Sequence, residues 1–235
     1  MAQTLATITR EAATRNLSFP AALECLADHE LEARHRRAVQ RRFQLSRLPA
    51  RPTLDQFHFA HDKSRLQAKN RILHLLDLDF LKQGTSVVII GNPGVGKTFL
   101  AQILGWRACQ AHVRVLFTTA MDMLNQLLAS QVDHSLVRKL KLYTEPTFLL
   151  VDELGYLALD QETSNLFYQV ISTRHAHKRS TLITTNTAFS EWGNILYNTT
   201  IAAAIADRLV ENSEIFLLGG ESLRKAQKGP SPPAA

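Results

Sequence analysis

Apolar positions along this chain gather in short runs separated by longer amphipathic stretches. Five runs have the length and the β-branched or aromatic content of strands: Val87–Ile90, Arg114–Thr118, Phe148–Asp152, Thr181–Thr185 and Glu214–Leu218. Helix-period stretches lie between them. Unbroken apolar runs predict strands covered on both faces, and strands alternating with helices predict a mostly parallel, five-stranded sheet flanked by helices, an α/β fold. Upstream, Ser18 reads as a helix N-cap with Pro20 in the first turn, and the helix should continue toward Phe43. Leu23, Leu26 and Leu31 give its first half an apolar stripe, after which Arg34, Arg37 and Arg41 share one face at i, i+3 and i+7. Pro49 and Pro52 end that helix and place a boundary near Arg47–Thr53. A second helix is predicted over Asp62–Asp77, with Leu66, Ile72, Leu73 and Leu76 available for burial. The chain therefore divides into a small helical region at 1–50, a core at 51–224 and a tail at 225–235 rich in Gly and Pro, expected to be disordered.

Composition adds little until charge is mapped. An apolar fraction of 45% with 20% charged residues is that of a folded soluble protein. The net charge of +6 is unevenly placed: eleven Lys or Arg residues lie from Arg34 to Arg71, against Asp55 and Asp62 within the span and Glu32 just before it. Arg36 and Arg42 widen the face made by Arg34, Arg37 and Arg41. Such a segment attracts polyanions, of which nucleic acid is the commonest in a cytoplasm. Cys25 and Cys109 have neither metal-ligand nor disulfide spacing. Met1–Arg15 lacks the apolar centre of a signal peptide, and no run approaches the length of a membrane span. A cytoplasmic protein without a membrane partner is expected.

The chemistry is concentrated after the first strand candidate. Gly91-Asn92-Pro93-Gly94-Val95-Gly96-Lys97-Thr98 is a complete phosphate-binding loop between an apolar run and a helical stretch. Gly91, Gly94 and Gly96 allow tight turns and close backbone approach, so that loop N–H groups can wrap a β-phosphate. Lys97 is placed to reach the β- and γ-phosphates, and Thr98 to give its hydroxyl to Mg²⁺. With Phe99 just beyond, residues 91–99 are the candidate contacts for ATP. The third strand candidate ends in Asp152-Glu153, at the carboxyl end where ligands bind in parallel sheets. Asp152 can hold Mg²⁺, and Glu153 can orient and deprotonate an attacking water. Asn186 follows the fourth strand candidate, within reach of a γ-phosphate or that water. Arg208 and Arg224 are candidates to stabilise charge on the transferred phosphoryl group.

These residues resemble the IstB-type transposition helper ATPases, in the IstB/DnaC-like branch of the AAA+ ATPases. The resemblance runs from about Leu17 to Arg224. Its strongest pieces are Leu150-Val-Asp-Glu-Leu-Gly-Tyr-Leu-Ala-Leu-Asp160, Ile183-Thr-Thr-Asn-Thr-Ala-Phe-Ser-Glu-Trp-Gly193 and Ala203-Ala-Ile-Ala-Asp-Arg-Leu209. Arg47–Phe57 resembles the family's linker into the ATPase core. The resemblance implies that Lys97 and Thr98 belong to Walker A, Asp152 and Glu153 to Walker B, and Asn186 to sensor 1. It implies that Arg208 is an arginine finger acting on a neighbour's ATP and that Arg224 is the sensor 2 arginine, although Leu223 stands where the family often has Tyr. It further implies an ATP-dependent homo-oligomer, a ring or filament, that assembles on double-stranded DNA and recruits the transposase of the same element. Region 1–50 would then serve DNA or partner contact and oligomerisation.

Three other readings share the phosphate loop. A helicase loader of the DnaC type would bind single-stranded DNA. A small-molecule kinase would need an acceptor pocket, and Asp152-Glu153, Asn186 and Arg208 argue against it. A scaffold that binds ATP without turnover is opposed by Glu153.

Overall fold

The computed structural model describes Thr14 and residues 16–155 and 158–223; Arg224 and the tail at 225–235 lie outside the described residues. Helix α1 spans Phe19–Ser46, α2 Lys63–Leu75 and α3 Asp79–Gln83. There follow β1 (Ser86–Gly91), α4 (Lys97–Gln110), β2 (Val115–Thr119), α5 (Ala120–Val132), α6 (Leu136–Thr144) and β3 (Phe148–Leu154). The chain continues with α7 (Gln161–Ala176), β4 (Ser180–Thr185), α8 (Trp192–Ile195), α9 (Thr199–Val210) and β5 (Ser213–Leu218). The five strands form one sheet in the order β2-β3-β4-β1-β5, and every neighbouring pair is parallel.

All five strand candidates are strands, with ends shifted by at most two residues. Val87, Val88 and Ile89 in β1 are wholly buried, which is why this run shows no polar alternation. Side chains of alternate parity feed two cores. Val87, Ile89, Leu150, Leu182 and Phe216 pack with Ile72, Leu100 and Leu104 from α2 and α4. Leu149, Val151 and Ile183 pack on the other face with Leu124, Phe167 and Ile205 from α5, α7 and α9.

Helix α2 starts where the sequence places it, with Asp62 as N-cap accepting from the Ser64 N–H at 2.8 Å. Its buried face differs from expectation. Arg65, Ile72 and Leu75 point inward, spaced i, i+7 and i+10, whereas Leu66 and Leu73, one position further round, are exposed. The apolar stripe of α1 is likewise open in the single chain, with Phe19, Leu23 and Leu31 exposed. Contacts with α4 and the turn after it come from the second half of α1. The Phe43 ring meets Trp106 of α4 edge to face at 5.6 Å, and the His35 and His112 rings share a 3.0 Å hydrogen bond. Leu48, just past the helix, is buried in the core that contains α4.

Candidate functional site

Strand β1 delivers Gly91 to the carboxyl edge of the sheet, and the loop 91–96 returns the chain into α4. Gly94 and Gly96 have φ of 84° and 86°, in the left-handed region that glycine enters without steric penalty. The Val95 side chain is buried in the core, so this residue offers the loop only its backbone. Lys97 Nζ donates to the carbonyls of Gly91 at 2.7 Å and Asn92 at 3.0 Å, holding the ammonium against the loop. A bound phosphate would exchange these carbonyls for stronger anionic acceptors.

The acidic end of β3 faces this loop. Thr98 Oγ1 donates to Asp152 Oδ1 at 3.0 Å, tying α4 to β3. Thr184 on β4 donates its hydroxyl to the same carboxylate oxygen. The Thr184 hydroxyl also accepts from the Glu153 N–H at 3.0 Å. At this point the β3–β4 register slips between Val151 and Leu154, and Glu153 takes φ of 62°. A non-glycine residue in this region is held against a local penalty of about 1–2 kcal/mol. The slip keeps Asp152 buried and turns Glu153 outward into the cavity.

That cavity, of about 370 Å³, is lined by Gly94, Gly96, Lys97, Thr98, Phe99, Glu153 and Thr184 on one side. The other side comes from Gln56, Phe57, His58 and Arg65, with Leu223 at the rim. Its size suits a nucleotide. The described residues hold no group of three His, Cys, Asp or Glu side chains suited to a metal. One carboxylate and one hydroxyl meeting beside a phosphate-binding loop fit Mg²⁺, which takes its remaining ligands from water and phosphate. Asp152 and Thr98 are the residues that could hold it.

Seven lining residues escape the sequence reading. Gln56, Phe57, His58 and Arg65 belong to the linker and α2, Gln102 to α4, Thr184 lies inside β4, and Leu223 follows β5. Arg65 is fully buried. It donates to the His58 carbonyl at 3.2 Å and to the Val95 carbonyl, and its guanidinium lies 5.0 Å from the Phe57 ring centre. Its Nε has no hydrogen-bond partner among the described residues. Burial pushes this guanidinium below its ordinary pKa, against the opposing pull of Asp62.

The remaining candidates lie elsewhere. Asn186 follows β4, with Oδ1 accepting from the Thr187 hydroxyl at 3.1 Å, and is not in the cavity wall. Arg208, near the end of α9, donates to the Ala204 carbonyl at 2.8 Å and sits 4.9 Å over the Tyr168 ring. It lines a separate cavity of about 230 Å³ with Ser86 and Thr181, at the amino ends of β1 and β4. Arg34, Arg37 and Arg41 are exposed on α1. Arg34 and Arg37 share the Glu30 carboxylate at 2.9 and 3.1 Å, so part of their charge is answered within the helix. Arg224 is outside the described residues.

The family model described as IstB-like ATP binding protein matches residues 1–231. A protein of Geobacillus stearothermophilus, named for ATP binding in insertion sequence IS5376, is 36% identical over 97% of this chain and 90% of its own length. The corresponding protein of insertion sequence IS232 from Bacillus thuringiensis is 33% identical over 95% of this chain and 88% of its own. That of IS21 from Pseudomonas aeruginosa is 33% identical over 93% and 81%. Among solved structures, the DnaC helicase loader is similar with a TM-score of 0.62 and 22% identity, over 71% of this chain and 96% of its own. DnaI is similar with a TM-score of 0.62 and 19% identity, over 76% and 92%. These structural likenesses give the fold, a five-stranded parallel sheet flanked by helices.

Proposed function

The chain belongs to the family of IstB-like ATP-binding proteins, and from that premise we propose that it hydrolyses ATP as a helper of DNA transposition. The observation that carries the hydrolytic part is the 3.0 Å contact of Thr98 with Asp152 beneath the loop, beside an outward-turned Glu153. Thr98 and Asp152 hold Mg²⁺, and the loop amides and Lys97 bind the phosphates. Glu153 takes the proton of the attacking water. A carboxylate beside the metal and open to the cavity favours water over a bound acceptor. Asn186 reports the γ-phosphate, while Arg208 and Arg224 answer its charge.

The relatives' names, each tied to an insertion sequence, support the biological half of this reading. ATP binding assembles copies of the chain on double-stranded DNA, with the exposed arginines of the basic segment, Arg34, Arg37 and Arg41, supplying phosphate contacts. The assembly recruits the transposase of the same element, and hydrolysis releases it. The protein works in the cytoplasm; among the described residues no helix is long and apolar enough to cross a membrane.

The test is binding to labelled duplex and single-stranded DNA of equal length, with ATP, a non-hydrolysable analogue, ADP or no nucleotide, at fixed salt. Cooperative duplex binding only with the triphosphate is expected. A preference for single strands would replace this reading with a DnaC-like helicase loader.

A further inference from the structure

The phosphate-binding loop is gripped by two parts of the chain distant in sequence. Leu223 N donates to the Gly94 carbonyl at 3.1 Å. Arg65 donates to the next carbonyl, that of Val95. The donors belong to one assembly. Gly219 N donates to Ser64 Oγ at 2.7 Å, and the His61 ring bonds the Glu221 carbonyl at 2.9 Å. The segment 219–223 is thereby fixed to the first turn of α2, which also carries Arg65. The fit leaves no slack: a Cβ on Gly94 would lie 2.0 Å from Ser222 Oγ, and one on Gly96 3.2 Å from the Arg65 guanidinium.

These grips have a directional consequence. The peptides of the described chain are trans, and a trans peptide points its C=O and N–H in opposite directions. Pinning the Gly94 carbonyl outward turns the Val95 N–H to the opposite side, and pinning the Val95 carbonyl does the same for the Gly96 N–H. The Val95 N–H otherwise makes only a long 3.5 Å contact with Asn92 O. Successive N–H groups in such alternating turns form an anion-binding hollow.

We infer that Arg65 and the Leu223 N–H are positioning groups that preset the Val95 and Gly96 amides for phosphate, acting through the loop carbonyls they hold. The inference rests on the nucleotide reading of this cavity. Arg65 suits the task because a buried fork of donors can hold the linker carbonyl of His58 and the loop carbonyl of Val95 together. The collar also joins the segments before and after the core to the phosphate site.

Calorimetric titration of ATP and of tripolyphosphate, with Mg²⁺, into wild type, Arg65→Lys and Leu223→Pro tests this. Tripolyphosphate engages the loop and has no base. Leu223→Pro deletes the one N–H that grips the Gly94 carbonyl. Each variant should bind both ligands roughly tenfold more weakly, the scale of one lost hydrogen bond to an ordered group. Both variants binding both ligands as wild type does would overturn the inference. So would a loss for ATP alone, which would move Arg65 to the base end of the cavity. Wild type binding neither ligand would instead sink the nucleotide reading. Arg65→Lys keeps a charge at a fully buried position; should it fail to fold, Leu223→Pro decides alone.

Discussion

Replacing Thr184 by valine keeps the shape of the side chain and deletes one hydroxyl. That hydroxyl makes two hydrogen bonds: it donates to Asp152 Oδ1 and accepts from the Glu153 N–H. Thr184 is buried, so water cannot replace either bond at no loss. A hydrogen bond to a charged group contributes about 1.5–3 kcal/mol, and an ordinary backbone bond about 1 kcal/mol. The valine variant should therefore be less stable by about 3 kcal/mol, close to a 1 M drop in urea midpoint at a slope of about 3 kcal/mol/M. The functional loss should exceed the stability loss. Without the Thr184 anchor, Glu153 has no tie for its left-handed backbone, and its carboxylate leaves the line of the attacking water. A displaced general base lowers turnover by about 10²-fold or more. Thr184→Ser keeps the hydroxyl and should retain turnover within about threefold, less than one ordinary hydrogen bond. Steady-state phosphate release at saturating ATP, with urea unfolding on the same samples, reads both effects. Wild-type turnover in Thr184→Val would refute the idea that this hydroxyl positions Glu153.

Glu153→Gln should bind ATP as wild type does and lose at least about 10²-fold in turnover; equal rates would remove Glu153 as the base. Arg208→Ala should keep ATP affinity, since Arg208 is absent from the cavity wall, and lose turnover, whereas normal phosphate release would place the charge-stabilising group elsewhere. Reversing the charges of Arg34, Arg37 and Arg41 should weaken duplex binding and flatten its salt dependence, and an unchanged slope would move the DNA track off α1. Arg174 is buried on α7 with no carboxylate partner among the described residues, and burial pushes its pKa down to about 9, so it stays charged at neutral pH. It donates to the carbonyls of Tyr143, Thr144, Pro146, Thr147 and Ser180 and to the Thr181 hydroxyl. Arg174→Met strands at least two of these acceptors and should be less stable by about 3 kcal/mol or more, with a smaller loss for Arg174→Lys; a urea midpoint unchanged by methionine would refute that strut.

The strands were legible because a parallel strand covered on both faces writes an unbroken apolar run, as Val87–Ile90 and Phe148–Val151 do. The loop was legible because residues 91–98 act together and are contiguous. What escaped was assembled by tertiary structure. Arg65 sits in a basic run and reads as one more solvated cation, yet it is fully buried against the loop. Thr184 reads as ordinary strand content until the register slip at Val151 brings it under Asp152 and Glu153. Leu223 reaches Gly94 across the whole core, with no local pattern to announce it. The glutamate that offsets Arg34 and Arg37 lay outside the basic segment, although its i, i+4 spacing to Arg34 was readable.

The separation of Arg208 from the cavity bears on how turnover is coupled to assembly. Lys97 and Glu153 stand at the carboxyl edge of the sheet, whereas Arg208 shares a cavity with Ser86 and Thr181 at the amino edge. A six-residue strand such as β1 spans about 20 Å. No arginine side chain bridges that distance, so Arg208 cannot reach a phosphate bound in its own chain. Charge stabilisation by Arg208, worth orders of magnitude in phosphoryl transfer, is then available only from a second copy. A single chain holds the loop and the acid pair, and on this reading it is a slow ATPase until a neighbour docks. Turnover per chain should accordingly rise with protein concentration in wild type and stay flat in Arg208→Ala. Equal concentration dependence in the two proteins would show that assembly, if it occurs, does not act through this residue.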